Sequence, residues 1–239
     1  MLSVERYNLI LELIKKRKNI KLQEIVEELK ISEATARRDL NFLENKKKIR
    51  RIHGGAVLVE TKEEDIGYKK LINIEEKDII AKKVIEYIED GQMIYIDAGS
   101  TTGTLIKYLN NYKELKIVTN SFHHIKELLK LKHSEVYLLG GKMKEKTGAM
   151  IGGIAVNSLK NFNFDIAFLG ANGVSEDGYF TPDPDEALVK VEAIKRAKEK
   201  FFLCDHTKFF KKSFIKFAEL KDGKIISDKN IPEDIGGEK

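Results

Sequence analysis

From residue 75 onward this 239-residue chain alternates short apolar, β-prone runs with amphipathic stretches of helical period, and no other feature narrows the possible folds so far. The spacing predicts helix 75–89, strand 92–97, helix 102–110, strand 115–119, helix 121–131 and strand 135–139. An irregular Gly-rich stretch follows, then strand 164–169, helix 185–198 and strand 200–204. Strand alternating with helix implies a mostly parallel sheet covered on both faces, so residues 75–239 are expected to form an α/β body.

The first sixty residues follow a different pattern. Leu2, Leu9, Ile10, Leu13 and Ile14 recur at helical spacing, as do Leu22, Ile25, Val26 and Leu29. Ile31-Ser32 interrupts them. Ser32 is a good N-cap and Glu33 a favourable first-turn anion for a third helix running to about Asn45. After Lys46-Lys47-Lys48, the β-prone run Ile49 to Val59 is broken by the pair Gly54-Gly55 and reads as a short ribbon or wing. Helix, helix, tight turn, helix and ribbon make residues 1–59 a winged helix-turn-helix. The polar segment 60–74 has no period and is expected to be a linker.

Charge divides at the same place. Residues 1–59 carry 14 Lys and Arg against 8 Asp and Glu, a net +6, while the remainder carries 29 against 30. A positive excess confined to one end suggests a polyanion-binding surface joined to a neutral body. On a helical wheel, Ala36, Leu40 and Leu43 of the third helix form the packing stripe, and Ala34, Arg38, Asn41 and Asn45 face outward, flanked by Thr35 and Arg37. Arg and Asn on that face suit the edges of guanine and adenine in a major groove, each good bidentate contact giving about 1–3 kcal/mol of discrimination. Arg50, Arg51 and His53 of the ribbon suit phosphates, with Lys46 to Lys48 near the same backbone. The bland alternative is a set of solvated charges on a small protein-binding domain.

In the body, the strand ending at Asp97 runs into Ala98-Gly99-Ser100-Thr101-Thr102-Gly103 and then a helix. A Gly turn with three hydroxyls at a helix start can cradle a phosphate, or can simply cap the helix. Other strand ends carry Thr119-Asn120-Ser121, Gly140-Gly141-Lys142, Gly170-Ala171-Asn172-Gly173 and Asp205-His206-Thr207-Lys208, and open α/β sheets bind ligands at such ends. The expected ligand residues are Asp97, Gly99, Ser100, Thr101, Thr102, Asn120, Gly141, Asn172 and Lys208. Lys208 would neutralise phosphate, while Asp97 and Asn120 would bond sugar hydroxyls or orient the loops. Asp183-Pro184-Asp185-Glu186 reads as helix-starting chemistry.

Ser32-Glu33-Ala34-Thr35-Ala36-Arg37-Arg38-Asp39-Leu40, followed by Arg51-Ile52-His53-Gly54-Gly55-Ala56-Val57, resembles the signature of the DeoR family of bacterial sugar-metabolism regulators. The likeness extends through Asp97 to Thr102, Thr119-Asn120-Ser121, Gly140-Gly141 and Asp205 to Phe209, and so spans nearly the whole chain. It implies a body that shares its fold with ribose-5-phosphate isomerase and binds a phosphorylated sugar as effector. It also implies a repressor acting on double-stranded operator DNA. Ala36 stands where the family usually has a larger β-branched residue, and Ser100 where Thr is common. Homo-oligomers are expected because two-fold operators double the readout.

The rival function is a sugar-phosphate isomerase with an appended reader. Proton abstraction beside a carbonyl needs a base, and Asn172, an amide, stands where the isomerase segment carries an acid. No cofactor beyond the effector is expected. His123, His124 and His133 have no metal spacing, and Cys204 lies in an apolar run as a small buried thiol. No apolar run approaches the ~18 residues of a spanning helix. With no secretory h-region at the start, a cytoplasmic protein without membrane contact is expected.

Overall fold

A computed structural model of the chain describes residues 3–17, 19–45, 48–52, 54–58 and 66–237. The chain divides into two compact units, Met1–Lys62 and Glu63–Lys239.

In the first unit α1 (Ser3–Arg17), α2 (Leu22–Leu29) and α3 (Glu33–Asn45) pack through Ile10, Leu11, Ile14, Leu22, Ile25, Ala36, Leu40 and Leu43, all buried. The wheel's stripe on α3 is therefore its packing face, and Ala36 is fully enclosed. A second tie is polar: Asp39, also buried, accepts two bonds from Arg6 of α1, at 2.7 and 3.0 Å. The ribbon is β2 (Ile49–Ile52) against β3 (Gly55–Leu58). It gains a third strand that periodicity did not reveal, β1 (Asn19–Lys21), antiparallel to β3. The Gly pair has a geometric cause. Gly54 takes φ +77°, and a Cβ on Gly55 would lie 2.1 Å from the Ile20 carbonyl oxygen.

The second unit begins earlier than the sequence suggests. Residues 66–74 are not linker: Ile66 is buried, α4 (Ile66–Lys69) follows, and α5 (Ile74–Val84) continues from it. The main sheet contains β4 (Met93–Ile96), β5 (Leu115–Thr119), β6 (Ser134–Leu138), β9 (Phe164–Gly170), β12 (Ala197–Leu203) and β14 (Lys224–Ile226). Its order is β14-β12-β9-β4-β5-β6, with every pairing parallel. Successive residues serve opposite faces. Ile94, Ile96, Ile117, Phe168 and Phe201 join one core, and Tyr95, Val118, Leu169 and Phe202 the other.

Several helices are shorter than expected. α6 (Ser100–Thr104) gives way to a 3-10 segment Leu105–Asn111, and 121–131 resolves into a 3-10 turn Phe122–His124 and α7 (Ile125–Leu128). The Gly-rich stretch contains the hairpin β7 (Lys142–Met143) and β8 (Met150–Ile151), then α8 (Gly153–Leu159). A small antiparallel sheet, absent from the sequence reading, joins β10 (Gly173–Ser175), β11 (Gly178–Thr181) and β13 (Ile215–Ala218). α9 (Pro184–Arg196) opens as expected: Asp183 caps Glu186 N–H at 3.0 Å, with Pro184 at the first position. Cys204 is buried, and burial pushes its thiol up to about 12, so it stays protonated. Among the described residues no helix is long and apolar enough to cross a membrane.

Candidate nucleic-acid interface and ligand pocket

On the reader, Arg37, Arg38 and Asn41 are exposed on the face of α3 opposite its packing stripe. Three of the expected reading groups hold local partners. Thr35 shares a hydroxyl contact of 2.9 Å with Ser32, whose Oγ also accepts the Thr35 N–H at 3.2 Å and caps the helix. Arg37 Nε donates to Glu33 at 3.0 Å. Asn41 Oδ1 accepts from the Arg51 guanidinium at 2.6 Å, and the Arg51 N–H donates to Glu44 at 2.8 Å. Arg51, a phosphate candidate in the sequence, rests its guanidinium against the outer face of α3, beside which β2 packs. The Arg50 side chain, His53, Lys46 and Lys47 lie outside the described residues.

The pocket lies where the strand order reverses. Chain order runs β4, β5, β6 to one side and places β9 on the other side of β4, which opens a crevice at their carboxyl ends. Glycines line that opening, and a Cβ on Gly99 would lie 3.7 Å from Gly170 Cα. Asp97, Gly99, Ser100, Thr101, Asn120, Asn172 and Lys208 all line one cavity of about 60 Å³. The sequence thus placed seven of its nine candidates around one space.

Two candidates are elsewhere. The Thr102 side chain is fully buried and turned inward; its hydroxyl accepts from Gly99 N–H at 3.1 Å and reaches the carbonyl oxygens of Asp97 at 2.6 Å and Gly99 at 2.8 Å. It shapes the loop without lining the cavity. Gly141, at φ +140°, packs against Ile151 and Ala155 and is not part of the lining.

Five charged groups outside the nine expected ligand residues also line the cavity: Lys69, Lys77, Glu186, Lys190 and Asp205. Lys190 of α9 is buried, pairs with Asp97 and donates to the Gly170 carbonyl at 3.0 Å. Asp97 also accepts the Gly170 N–H at 3.1 Å, so this pair clamps the ends of β4 and β9 together. Glu186 accepts the Thr147 hydroxyl at 2.8 Å. Lys77 is buried and donates to the carbonyls of Lys69 and Ile72, the latter at 2.8 Å. The helical spacing of Glu186 and Lys190 was visible, but α9 packs its polar side toward the sheet end, and one-dimensional periodicity cannot show that.

Lys208 is steadied from both sides. Asp205 accepts Thr207 N–H at 3.0 Å, and His206 Nδ1 lies 2.7 Å from Asp228. Beneath the loop, the buried His124 ring meets the Gly99 carbonyl through Nε2 at 3.2 Å; burial depresses its pKa to about 4, so the ring is neutral and Nε2 can donate. Asn120 Oδ1 is buried and has no protein donor among the described residues. The arrangement offers cations, hydroxyls and an open carbonyl acceptor around a small space. No group of three potential metal ligands occurs among the described residues.

Comparison with known proteins agrees with both halves. Residues 6–62 match a DeoR-like helix-turn-helix domain, and residues 72–229 a DeoR C-terminal sensor domain. The chain is 43% identical over 230 residues, 95% of its length and 91% of the relative's, to a Bacillus subtilis protein described as an uncharacterized HTH-type transcriptional regulator, FruR. It is 36% identical to a Staphylococcus epidermidis lactose phosphotransferase system repressor, covering 96% of this chain and 94% of that one. Among solved structures, a D-ribose-5-phosphate isomerase in complex with phospho-erythronic acid aligns with 57% of this chain and 54% of its own at 20% identity, with a TM-score of 0.43.

Proposed function

The chain belongs to the DeoR family of DNA-binding transcriptional regulators, and from that premise we propose that it represses genes of sugar uptake or sugar-phosphate metabolism under control of a phosphorylated sugar. The family and these relatives are named for regulation, so the isomerase alternative falls away.

The observation that carries the sensor reading is the cavity at the β4/β9 reversal. Ser100 and Thr101 present hydroxyls there, Lys208 makes no ion pair among the described residues, and Asn120 Oδ1 awaits a donor. A phosphate suits the hydroxyls and Lys208, and a sugar hydroxyl suits Asn120. Asp97, Asn172 and Gly99 complete the wall. Thr102 and Gly141 are withdrawn as direct contacts.

For the reader we assign base contacts to Arg38, Arg37, Thr35 and Asn41, and backbone contacts to Arg50 and His53, with Arg51 beside Asn41. Homo-oligomers present two such readers to a two-fold operator. Effector binding changes operator affinity through a coupling typically worth about 1–3 kcal/mol, which must be reciprocal.

Thermal-shift screening of the purified chain against pentose, hexose and triose phosphates tests the sensor. A ligand at 100 times its Kd adds about 2.7 kcal/mol of stability, and Lys208→Ala should abolish the shift. No shift with any sugar phosphate, or an unchanged shift in Lys208→Ala, defeats the assignment.

A further inference from the structure

The main sheet ends on one side at β6, and this edge is unusual. Leu139 N–H donates inward to Thr119 O at 2.9 Å, and His133 O accepts inward from Glu114 N–H at 2.7 Å. Backbone groups alternate in direction along a strand, so Glu135 and Tyr137 also bond inward to β5. Ser134, Val136 and Leu138 therefore turn their N–H and C=O groups outward. Among the described residues no backbone bond meets them.

Proteins blunt such edges with Lys, Pro, bulges or very short strands. The opposite edge, β14, does so: it has three residues and begins with Lys224. β6 has five residues, Ser134-Glu135-Val136-Tyr137-Leu138, with no Lys, Pro or bulge. Exposed apolar side chains lie on it and near it in sequence. Tyr137 is 42% and Leu138 39% exposed, Leu129 just before the strand is 70% exposed, and Ile154, beside Gly140 just after it, 68%.

We infer that β6 is the interface through which a second copy of this chain pairs, antiparallel and two-fold about Val136. The inference specifies the oligomer proposed above and rests on it. The register follows from the strand itself. A two-fold axis at Val136 sets Val136 against its own copy and Ser134 against Leu138, and these are the residues whose backbone groups point outward. All three outward residues of each strand are then satisfied by six backbone bonds.

The side chains are self-complementary in the same register. Glu135 falls opposite Tyr137 of the second copy in a non-hydrogen-bonded pair, where side chains approach most closely. Within one strand the Tyr137 hydroxyl already donates to Glu135 at 2.7 Å. The pairing reproduces that donor and acceptor across the axis, twice. Shifting the register by one residue would set outward groups against inward ones and lose both matches. A second copy is thus preferred over a foreign strand, for which the symmetry of donor and acceptor would have no use.

The test combines sedimentation of the full chain with hydrogen exchange at Val136 and Leu138. The wild-type oligomer should protect both amides, with protection falling on dilution. Tyr137→Glu sets two carboxylates against each other at both symmetric contacts and should raise the dissociation constant about tenfold or more, exposing the amides. Adding Glu135→Lys restores opposite charges and should recover assembly; the recovery also shows that the single variant remained folded. An oligomer whose Val136 and Leu138 amides exchange freely overturns the interface while leaving the oligomer standing. Dissociation without rescue overturns the register. A monomer at every concentration overturns both proposals.

Discussion

The two units keep their functional chemistry in opposite places. On the reader, Arg37, Arg38 and Asn41 stand in solvent, and their partners, Glu33 and Arg51, are reached at the surface. In the body, Asp97 and Lys190 are buried and paired, and Glu186, also buried, is held by Thr147, all lining the cavity. Exposed pairs contribute about 0–1 kcal/mol each, so the reader can exchange them for base edges and phosphates at small cost. Breaking a buried pair costs several kcal/mol, so a ligand of the body must add bonds while leaving the clamp intact. The exposed arrangement suits a long polymer that supplies many contacts, and the enclosed one suits the small molecule proposed above, which supplies few.

The sharpest way to break this contrast is Lys190→Met, which leaves the Asp97 carboxylate buried without its cation. It should destabilise the body by about 3–5 kcal/mol in denaturant titration, and adding Asp97→Asn should restore much of that. A loss below 1 kcal/mol would mean the clamp behaves like a surface pair.

Next in size is an effect of acid on the body through His124. Its folded pKa of about 4 lies below the ordinary 6.5, so the unfolded chain takes the proton first. Its contribution is complete above about pH 6.5 and declines as pH falls toward 4, by on the order of 3 kcal/mol at the low end. Comparing stability at pH 7 and pH 4.5 in wild type and His124→Leu isolates it; equal pH slopes in the two proteins would refute the assignment.

The reader has its own buried exception in Arg6–Asp39. Asp39→Ala should cost that unit about 2–3 kcal/mol, less than the Lys190 change because Arg6 is partly exposed and can rehydrate. Loss of amide protection in α1 and α3 reports it, and undiminished protection would place the pair among the dispensable ones.

The smallest effects separate two neighbouring arginines. Arg38→Ala should cost about 1–3 kcal/mol on the true operator and little on random DNA. Arg37→Ala, whose guanidinium must first leave Glu33, should cost under about 1 kcal/mol. Gel-shift titrations on both DNAs check the ranking, and equal losses from the two variants on the operator would erase it.

The reader was legible in sequence because its logic is local. Ala36, Leu40 and Leu43 share a stripe, Ser32 caps, and the Gly54-Gly55 pair turns the ribbon, all within a few residues. β1 escaped notice because three residues show no period and pair with β3 across α2 and α3. The pocket was half legible. Strand ends announce Asp97, Asn120, Asn172 and Lys208, since sheet topology carries them to one crevice. Lys69, Lys77 and Lys190 come from helices whose facing depends on packing. Thr102 misled because a hydroxyl at a helix start serves the backbone as readily as a ligand, and Gly141 because a Gly pair also marks a backbone that packs closely.

We propose that an anion in the body's pocket governs the reader's hold on DNA. The deciding measurement is operator affinity with and without each sugar phosphate, in wild type and in Lys208→Ala. At least one sugar phosphate should change wild-type affinity by about 5- to 150-fold and leave Lys208→Ala nearly unmoved. Tight operator binding that no sugar phosphate alters, or an equal response from both proteins, would contradict it.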